Sequence, residues 1–88
     1  MRLSFRKSFE RDLKRISDPV VLRRVRQSIE QVEAADDMSR VRGARRLSGS
    51  GGFYRIRIGE YRIGLAVEAS DVEFVRVLHR RDVYRYFP

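Results

Sequence analysis

The sequence predicts an α+β fold in which a small twisted sheet packs on two helices. Residues 1–34 contain a short alternating segment followed by two segments of helical periodicity. Residues 53–79 contain three alternating segments separated by turn residues, which is typical of a three-stranded antiparallel meander. The predicted order is therefore an N-terminal strand, a helical hairpin and the meander. The 88 residues suffice for one core, so a single domain spanning residues 1–88 is expected.

The N-terminal half is predicted to form the strand and both helices. Leu3 and Phe5 are in phase within residues 1–5, which indicates a strand. Ser8 is the expected N-cap of the first helix, with Glu10 in its first turn. Asp18 is the expected cap of the second helix, which begins at Pro19, where a missing N–H costs no hydrogen bond. The two apolar stripes are Phe9, Leu13 and Ile16, and Leu22, Val25, Ile29 and Val32.

Residues 35–52 show no periodicity and combine basic residues with glycine and serine. This composition predicts a basic loop with a flexible hinge, and a loop of that length in a small domain is usually functional or disordered. A solvated linker is the alternative. The residues concerned are Arg40, Arg42, Arg45 and Arg46, followed by Ser48, Ser50 and the neighbouring glycines.

The first hairpin of the meander is predicted with its register. The two-residue turn Gly59-Glu60 has glycine at its first position and sets Ile58 opposite Tyr61. Arg57 then lies opposite Arg62, and alternation places the apolar residues on the face that covers the helices. That core face carries Tyr54, Ile56, Ile58, Tyr61, Ile63, Leu65 and Val67, and the second face carries Arg55, Arg57 and Arg62.

The second hairpin is predicted to turn at Ala69-Ser70-Asp71 and to continue as a strand over residues 72–79. This register pairs Leu65 with Val75 and Ile63 with Val77, and it keeps Arg76 out of the core. Small residues at positions 64 and 66 would leave the second face concave beside the arginines, and residues 82–88 would form one helical turn or a tail. The second face would also carry Phe74, Arg76, Leu78 and Arg80.

The charge composition restricts the classes of partner. The net charge is +8, and the 20 basic residues comprise 18 arginines and two lysines. Guanidinium groups bind phosphate in a bidentate way and stack on bases, so the surface points to nucleic acid or an acidic protein. The coding bias of a GC-rich genome is the alternative source of the arginines.

Other classes are excluded by what the sequence lacks. With no cysteine and only His79, disulfides, thiolate zinc sites and cysteine nucleophiles are ruled out, and no metal site or cofactor is expected. No apolar stretch approaches the about 20 residues of a membrane span, and residues 1–10 do not resemble a secretory signal. A cytoplasmic protein with no membrane partner is expected.

The arginines of the predicted hairpin form the main candidate site. Like charges opposite each other destabilise a sheet, so the pairing of Arg57 with Arg62, beside Arg55, requires a function that favours it. Residues two apart on a strand are separated by about 6.6–6.8 Å, close to the spacing of successive phosphates. The cluster could therefore straddle a polynucleotide backbone. In the alternative interpretation these side chains extend into solvent or pair with Glu68 and Asp82.

Three segments, in order, resemble the RelE/ParE superfamily of bacterial and archaeal toxins from toxin–antitoxin modules. They are FRKSFERDLKRI, FYRIRIGEYRIGL and VRVLHRRDVYRYF, which together span nearly the whole chain. The sequence HRRDVYR is similar to the RelE branch, whose toxins cleave mRNA in the ribosomal A site. ParE-like members poison DNA gyrase and commonly lack a matching tyrosine.

The resemblance implies a RelE-like fold and a metal-independent endoribonuclease in which the ribose 2′-OH attacks the adjacent phosphate and the 5′-oxygen leaves. Arg57, Arg62 and Arg80 match arginine or basic positions that would stabilise the charge of the transition state. Arg80 would also assist the leaving oxygen. Tyr84 matches a tyrosine that would stack on or orient the base, and Arg55 would hold the neighbouring phosphate.

The general base stays open at this point. Well-studied relatives have lysine at the positions of Arg55 and Arg57, and arginine essentially cannot lose its proton. His79 titrates in a useful range, but strand alternation turns it toward the core face, so a structural histidine is the alternative. The remaining sources of a base are Tyr84 with a lowered pKa, Glu68, the ribosome or the substrate.

Further contacts and partners complete the predicted surface. Arg45 and Arg46 of the basic loop are expected to attract RNA through their charge, with a solvated linker as the alternative. Arg81 is expected to touch ribosomal RNA, with a solvated role as the alternative, and Tyr86 and Phe87 are expected in the core or against the antitoxin. The expected partners are mRNA, the ribosome and a RelB-like antitoxin in a hetero-oligomer. The alternatives are a ParE-like gyrase poison that acts by binding and a non-toxic RNA- or ribosome-binding module.

Overall fold

The structure is a computed structural model that describes residues 1–47, 49 and 51–88. Its sheet has strand order β1-β5-β4-β3-β2, with β1 parallel to β5 and the other pairs antiparallel. The α+β prediction is confirmed, although the sheet has two strands beyond the predicted meander. The elements are β1 (Arg2–Phe5), α1 (Lys7–Lys14), α2 (Pro19–Ala34), a 3-10 turn (Met38–Arg40), β2 (Ala44–Arg46), β3 (Phe53–Ile58), β4 (Tyr61–Glu68), β5 (Asp71–His79) and α3 (Arg80–Tyr86).

The predicted start of α1 was wrong. Arg6 is the N-cap, and Ser8 lies inside the helix, where its hydroxyl donates to the backbone oxygen of Val75 at 2.6 Å. Because β1 pairs only with residues 71–74, α1 lies along the part of the β5 edge that lacks a partner strand. Asp12 of α1 accepts from the backbone N–H of Val77 at 3.2 Å. Ser8 and Asp12 therefore satisfy backbone groups of an otherwise open strand edge.

Helix α2 begins as predicted, because the Asp18 carboxylate accepts from the N–H of Val20 at 2.9 Å and Pro19 follows as the first helical residue. Its apolar stripe covers the predicted core face of the sheet. The largest fully buried side chains of this core are Phe9, Val25, Val32, Ile56, Ile63, Leu65, Val72, Phe74 and Val77.

The prediction that residues 35–52 form a structureless loop was wrong for the residues that the structure describes. These residues contain the 3-10 turn and strand β2, which sets Arg45 opposite Arg55 and Arg46 opposite Tyr54 on β3. Three residues are too few to show alternation, so only pairing with β3 reveals this strand. Ser48 and Ser50, which were assigned to the hinge, lie outside the described residues.

The first hairpin has the predicted register, with Ile58 opposite Tyr61 and Arg57 opposite Arg62. Gly59 has a φ of 62°, a left-handed conformation that favours glycine at this turn position. The turn and two strands therefore hold the three arginines of the second face in a defined order.

The second hairpin differs from its predicted register. The turn has two residues, since Glu68 pairs with Asp71, and Leu65 is opposite Phe74 rather than Val75. A β-bulge at Val75 then restores the predicted pairing of Ile63 with Val77. Phe74 consequently lies in the core, not on the second face, and stacks near Phe5 and Phe9.

The C-terminal segment forms a helix rather than a single turn or tail. Helix α3 covers one end of the second face, where Val75, Val83 and Phe87 form a second buried cluster. The predicted concavity at positions 64 and 66 is filled, because a Cβ on Gly64 would lie only 2.7 Å from atoms of the Phe87 ring. Phe87 is a core residue, as predicted, whereas Tyr86 is half exposed.

Among the described residues, no helix has both the length and the apolar character needed to cross a bilayer.

Candidate functional site

The part of the second face that α3 leaves uncovered contains an open groove of about 430 Å³. Strand β2 forms one wall, β3 and β4 form the floor, and α3 supplies the other wall. The groove is thus built from four separate elements, of which α3 follows the others only after β5. Its lining residues are Gly43, Ala44, Arg45, Arg55, Arg57, Arg62 and Tyr84.

The four groove arginines are held by strand pairing. Arg45 lies opposite Arg55 across β2 and β3, and Arg57 lies opposite Arg62 across β3 and β4. Within the described ranges, the side-chain ion pairs involve other arginines, so none of these four is paired directly with a carboxylate. The groove therefore presents concentrated positive charge to an anionic ligand.

Arg62 is the most constrained of the four. Its Nη1 donates to the backbone oxygens of Gly59 at 2.8 Å and Tyr61 at 2.9 Å, which ties the guanidinium to the hairpin turn. Partial burial lowers the pKa of Arg62, and the charges of Arg57 and Arg55 lower it further. The contributions of Arg57 and Arg55 reflect repulsion between neighbouring cations, and a bound anion would relieve that repulsion.

Tyr84 stands at the rim of the groove, with its side chain 79% exposed. The guanidinium carbon of Arg55 lies 4.8 Å from the centre of the Tyr84 ring, a cation–π distance. The hydrogen bond and the charge of Arg55 lower the pKa of Tyr84, and the charge of Arg62 adds to this effect. The ring is accessible for stacking and its phenol is shifted toward ionisation.

Arg80 and His79 lie at the junction of β5 and α3. Arg80 is outside the groove lining and forms a salt bridge with Glu60, with 2.8 Å between its Nε and the carboxylate oxygen, but its charge also lowers the pKa of Arg62. His79 packs edge-on against Tyr61 and its Nδ1 accepts from the N–H of Arg81 at 3.2 Å. In this arrangement His79 caps α3, which is the backbone contact of the alternative interpretation.

Several other sequence-predicted residues lie away from the groove. Arg46 and Arg81 are exposed and do not line it, and Glu68 lines a separate groove at the far end of β4. Six residues of strand separate Glu68 from Arg62, or about 20 Å. Arg76 is paired with the buried Asp12 at 2.6 Å, so its register on the second face does not bring it into the cluster.

Sequence reasoning missed two small residues of the groove, Gly43 and Ala44. Gly43 has a φ of 77°, and a Cβ there would lie 3.1 Å from the backbone oxygen of Arg57. A glycine directly before a short basic segment was the available signal for a close approach of two backbones.

The arrangement has a definite chemical capacity. Arginine forks bind phosphate oxygens in a bidentate manner, and preorganised cations stabilise charge that develops during phosphoryl chemistry. An exposed aromatic ring beside them can stack on an unpaired base. A phosphodiester of a single-stranded nucleic acid satisfies both requirements.

Known proteins resemble this chain over its whole length. The family of the ParE toxin of type II toxin–antitoxin systems, parDE, matches residues 3–84. Toxin RelE3 of Methanocaldococcus jannaschii is 35% identical over 89 residues, and the alignment covers 100% of both chains. A chain in the crystal structure of the RelB–RelE antitoxin–toxin complex from Methanococcus jannaschii aligns with a TM-score of 0.81 at 34% identity, covering 96% of this chain and 98% of that one.

More distant structures share the fold. A chain of the toxin–antitoxin complex RelBE2 from Mycobacterium tuberculosis aligns with a TM-score of 0.70 at 22% identity, covering 90% of this chain and 96% of that one. The fold of this chain is thus shared by chains found in such complexes.

Proposed function

Because the chain belongs to the RelE/ParE superfamily of toxins from toxin–antitoxin systems and is RelE-like, we propose that it is a ribosome-dependent endoribonuclease that cleaves mRNA in the A site. One observation carries the proposal: Arg45, Arg55, Arg57 and Arg62 surround a groove with the accessible ring of Tyr84 at its rim. The proposed place of action is the cytoplasm, where translation occurs.

In the proposed reaction the ribose 2′-oxygen attacks the adjacent phosphorus, the bond to the 5′-oxygen breaks, and a 2′,3′-cyclic phosphate forms. Arg57 and Arg62 stabilise the additional negative charge on the phosphoryl oxygens. Arg80, whose charge already acts on Arg62, moves from Glu60 to the leaving 5′-oxygen. No metal or cofactor is required by these steps.

The general base and the group that binds the neighbouring phosphate are assigned to residues at the rim of the groove. Arg55 holds the neighbouring phosphate while it shifts Tyr84 toward the phenolate form. We therefore favour Tyr84 as the general base that accepts the proton of the 2′-OH. Its ring would also stack on the target nucleobase. His79 is less suited because its Nδ1 is occupied by the N–H of Arg81, and Glu68 is too distant.

A RelB-like antitoxin is the proposed inhibitory partner, in a hetero-oligomer with this chain. Two of the relatives described above were crystallised in complexes of this type. The basic surface would attract an acidic antitoxin segment, since the net charge of this chain is +8. Masking the groove arginines would block access of RNA.

The proposal is tested by inducing the chain without an antitoxin and mapping mRNA 5′ ends across the transcriptome. We expect cuts within codons, in frame with translation, that disappear in Tyr84→Ala. The match to the ParE toxin family supports gyrase poisoning as a second candidate. Growth arrest with intact transcripts and broken DNA would support that candidate and contradict cleavage. Tolerated expression would instead support a non-toxic binding module.

Two arginine variants test the mechanism directly. Arg62→Ala and Arg80→Ala should each abolish toxicity, since removing one donor that stabilises the transition state costs about 10²–10³ in rate. Arg23→Ala is the matched control, because Arg23 is an exposed arginine of α2 outside the groove. All three variants should retain the circular dichroism spectrum of the folded protein. Toxicity retained in both folded site variants would contradict the arginine mechanism.

A further inference from the structure

A second polar groove, of about 200 Å³, lies between α2 and the strands that carry the first groove. The two grooves meet at Arg57, which lines both. The second groove is lined by Arg24, Gln27, Ser28, Gln31, Arg42, Arg57 and Ile58.

The α2 side of this groove is a stripe of polar residues. Arg24, Gln27, Ser28 and Gln31 have spacings of three and four residues, so they occupy one face of the helix. This face lies beside the apolar stripe of α2 that packs on the sheet. Its polar side chains supply hydrogen-bond donors along the α2 wall of the groove. The guanidinium of Arg24 also lies against the hairpin turn, 2.9 Å from where a Cβ on Gly59 would be.

The groove is positively charged and contains no acidic lining residue. Arg24, Arg42 and Arg57 take part in none of the ion pairs found among residues 1–47, 49 and 51–88. The amides of Gln27 and Gln31 can donate to phosphate or ribose oxygens. Ile58 is the only aliphatic lining residue and is itself buried, so an amphipathic peptide would find no apolar anchor here.

We propose that this second groove binds the phosphodiester backbone of RNA that continues from the first groove past Arg57. The inference rests on the proposed function, because it extends the same RNA-binding surface. The backbone can belong to the message next to the cut or to ribosomal RNA. Both sources present the same chain of phosphates, and an RNA strand needs only the cations and amides found here.

Binding of 2′-O-methyl RNA, which cannot be cleaved, tests the inference. Fluorescence anisotropy at several salt concentrations gives the slope of log affinity against log salt for a trinucleotide and for a nonanucleotide. Each lost phosphate contact lowers the magnitude of this slope by about 0.7 for a single strand. The double variant Arg24→Ala/Arg42→Ala should therefore lower the slope for the nonanucleotide by about 1.4. The slope for the trinucleotide should not change. Arg23→Ala/Arg26→Ala is the control of equal charge, since both arginines are exposed on α2 and line neither groove.

Ribosome binding distinguishes the two sources of RNA. A slope change with the nonanucleotide together with unchanged binding to ribosomes that carry no message assigns the groove to the message, whereas weaker binding to those ribosomes assigns it to ribosomal RNA. Equal losses in both double variants, or no loss with either RNA, would overturn the inference. Weakened binding of the antitoxin alone would also overturn it. Absence of codon-specific cuts by the wild type would refute the proposed function without altering these slopes.

Discussion

The packing of Phe87 on Gly64 predicts that one added methyl group will disturb the site from a distance. In Gly64→Ala the new Cβ would lie 2.7–2.8 Å from three atoms of the Phe87 ring. Ordinary contacts of this type are about 3.5–4.0 Å, so the ring must withdraw by about 1 Å. Phe87 and Val83 are the buried residues that hold α3 on the sheet, and α3 carries Tyr84.

Gly64→Ala is expected to lower the stability of the protein moderately and its activity strongly. Overpacking costs about 1–3 kcal/mol, and replacing glycine by alanine in a strand recovers about 0.5–1 kcal/mol. The free energy of unfolding should therefore fall by at most about 2.5 kcal/mol, within what a folded domain tolerates. Displacing Tyr84 by about 1 Å should lower mRNA cleavage on ribosomes about a hundredfold.

Urea denaturation and single-turnover cleavage measure the two quantities. Gly51→Ala is the matched control, because a Cβ there would have no neighbour within 4 Å, and it should leave both quantities nearly unchanged. The double variant Gly64→Ala/Phe87→Leu should recover part of the activity by removing the overlap. Full activity in Gly64→Ala, or equal losses in the control, would refute positioning of Tyr84 by Phe87.

Two further predictions concern stability and pH. Asp12→Ala removes the partner of Arg76 and a backbone acceptor, and should cost about 3–5 kcal/mol in urea denaturation, whereas exposed Glu10→Ala should cost less than about 1 kcal/mol. Equal costs would contradict the edge-capping role of Asp12. Arg55 lowers the pKa of Tyr84 in the folded protein. Ionised Tyr84 therefore stabilises the fold at pH values above the ordinary tyrosine pKa of about 10. This stabilisation is lost as the pH falls through the lowered pKa of the folded protein. The phenolate absorbance that Tyr84→Phe removes should therefore titrate at higher pH in Arg55→Ala; an unchanged titration would refute this coupling.

Local patterns were sufficient for most of the fold. The cap at Asp18, the stripe of α2 and the first hairpin were predicted correctly because each depends on residues close in the chain. The register of that hairpin also placed Arg55, Arg57 and Arg62 on one face, since alternation and a two-residue turn determine the side of every residue. The arrangement of these three arginines in the candidate site could thus be predicted from the sequence.

The errors occurred where contacts between distant segments decide the structure. Strand β2 is too short to show periodicity, and only pairing with β3 brings Arg45 opposite Arg55. The two-residue turn offsets the start of β5 by one position and so moves Phe74 into the core, and the bulge at Val75 then restores the predicted register. Neither feature has a local signature that distinguishes it from a loop or a regular strand.

The sequence by itself therefore determined the α+β class, the helices and the shared face of the hairpin arginines, because periodicity and turn chemistry act over a few residues. Tertiary structure alone decided that Asp12 captures Arg76 and that Phe87 fills the space above Gly64. It also decided that α3 brings Tyr84 onto Arg55. Each of these contacts joins segments far apart in the chain, and whether such segments fit together or pair their charges depends on how the sheet and helices place them in the folded protein.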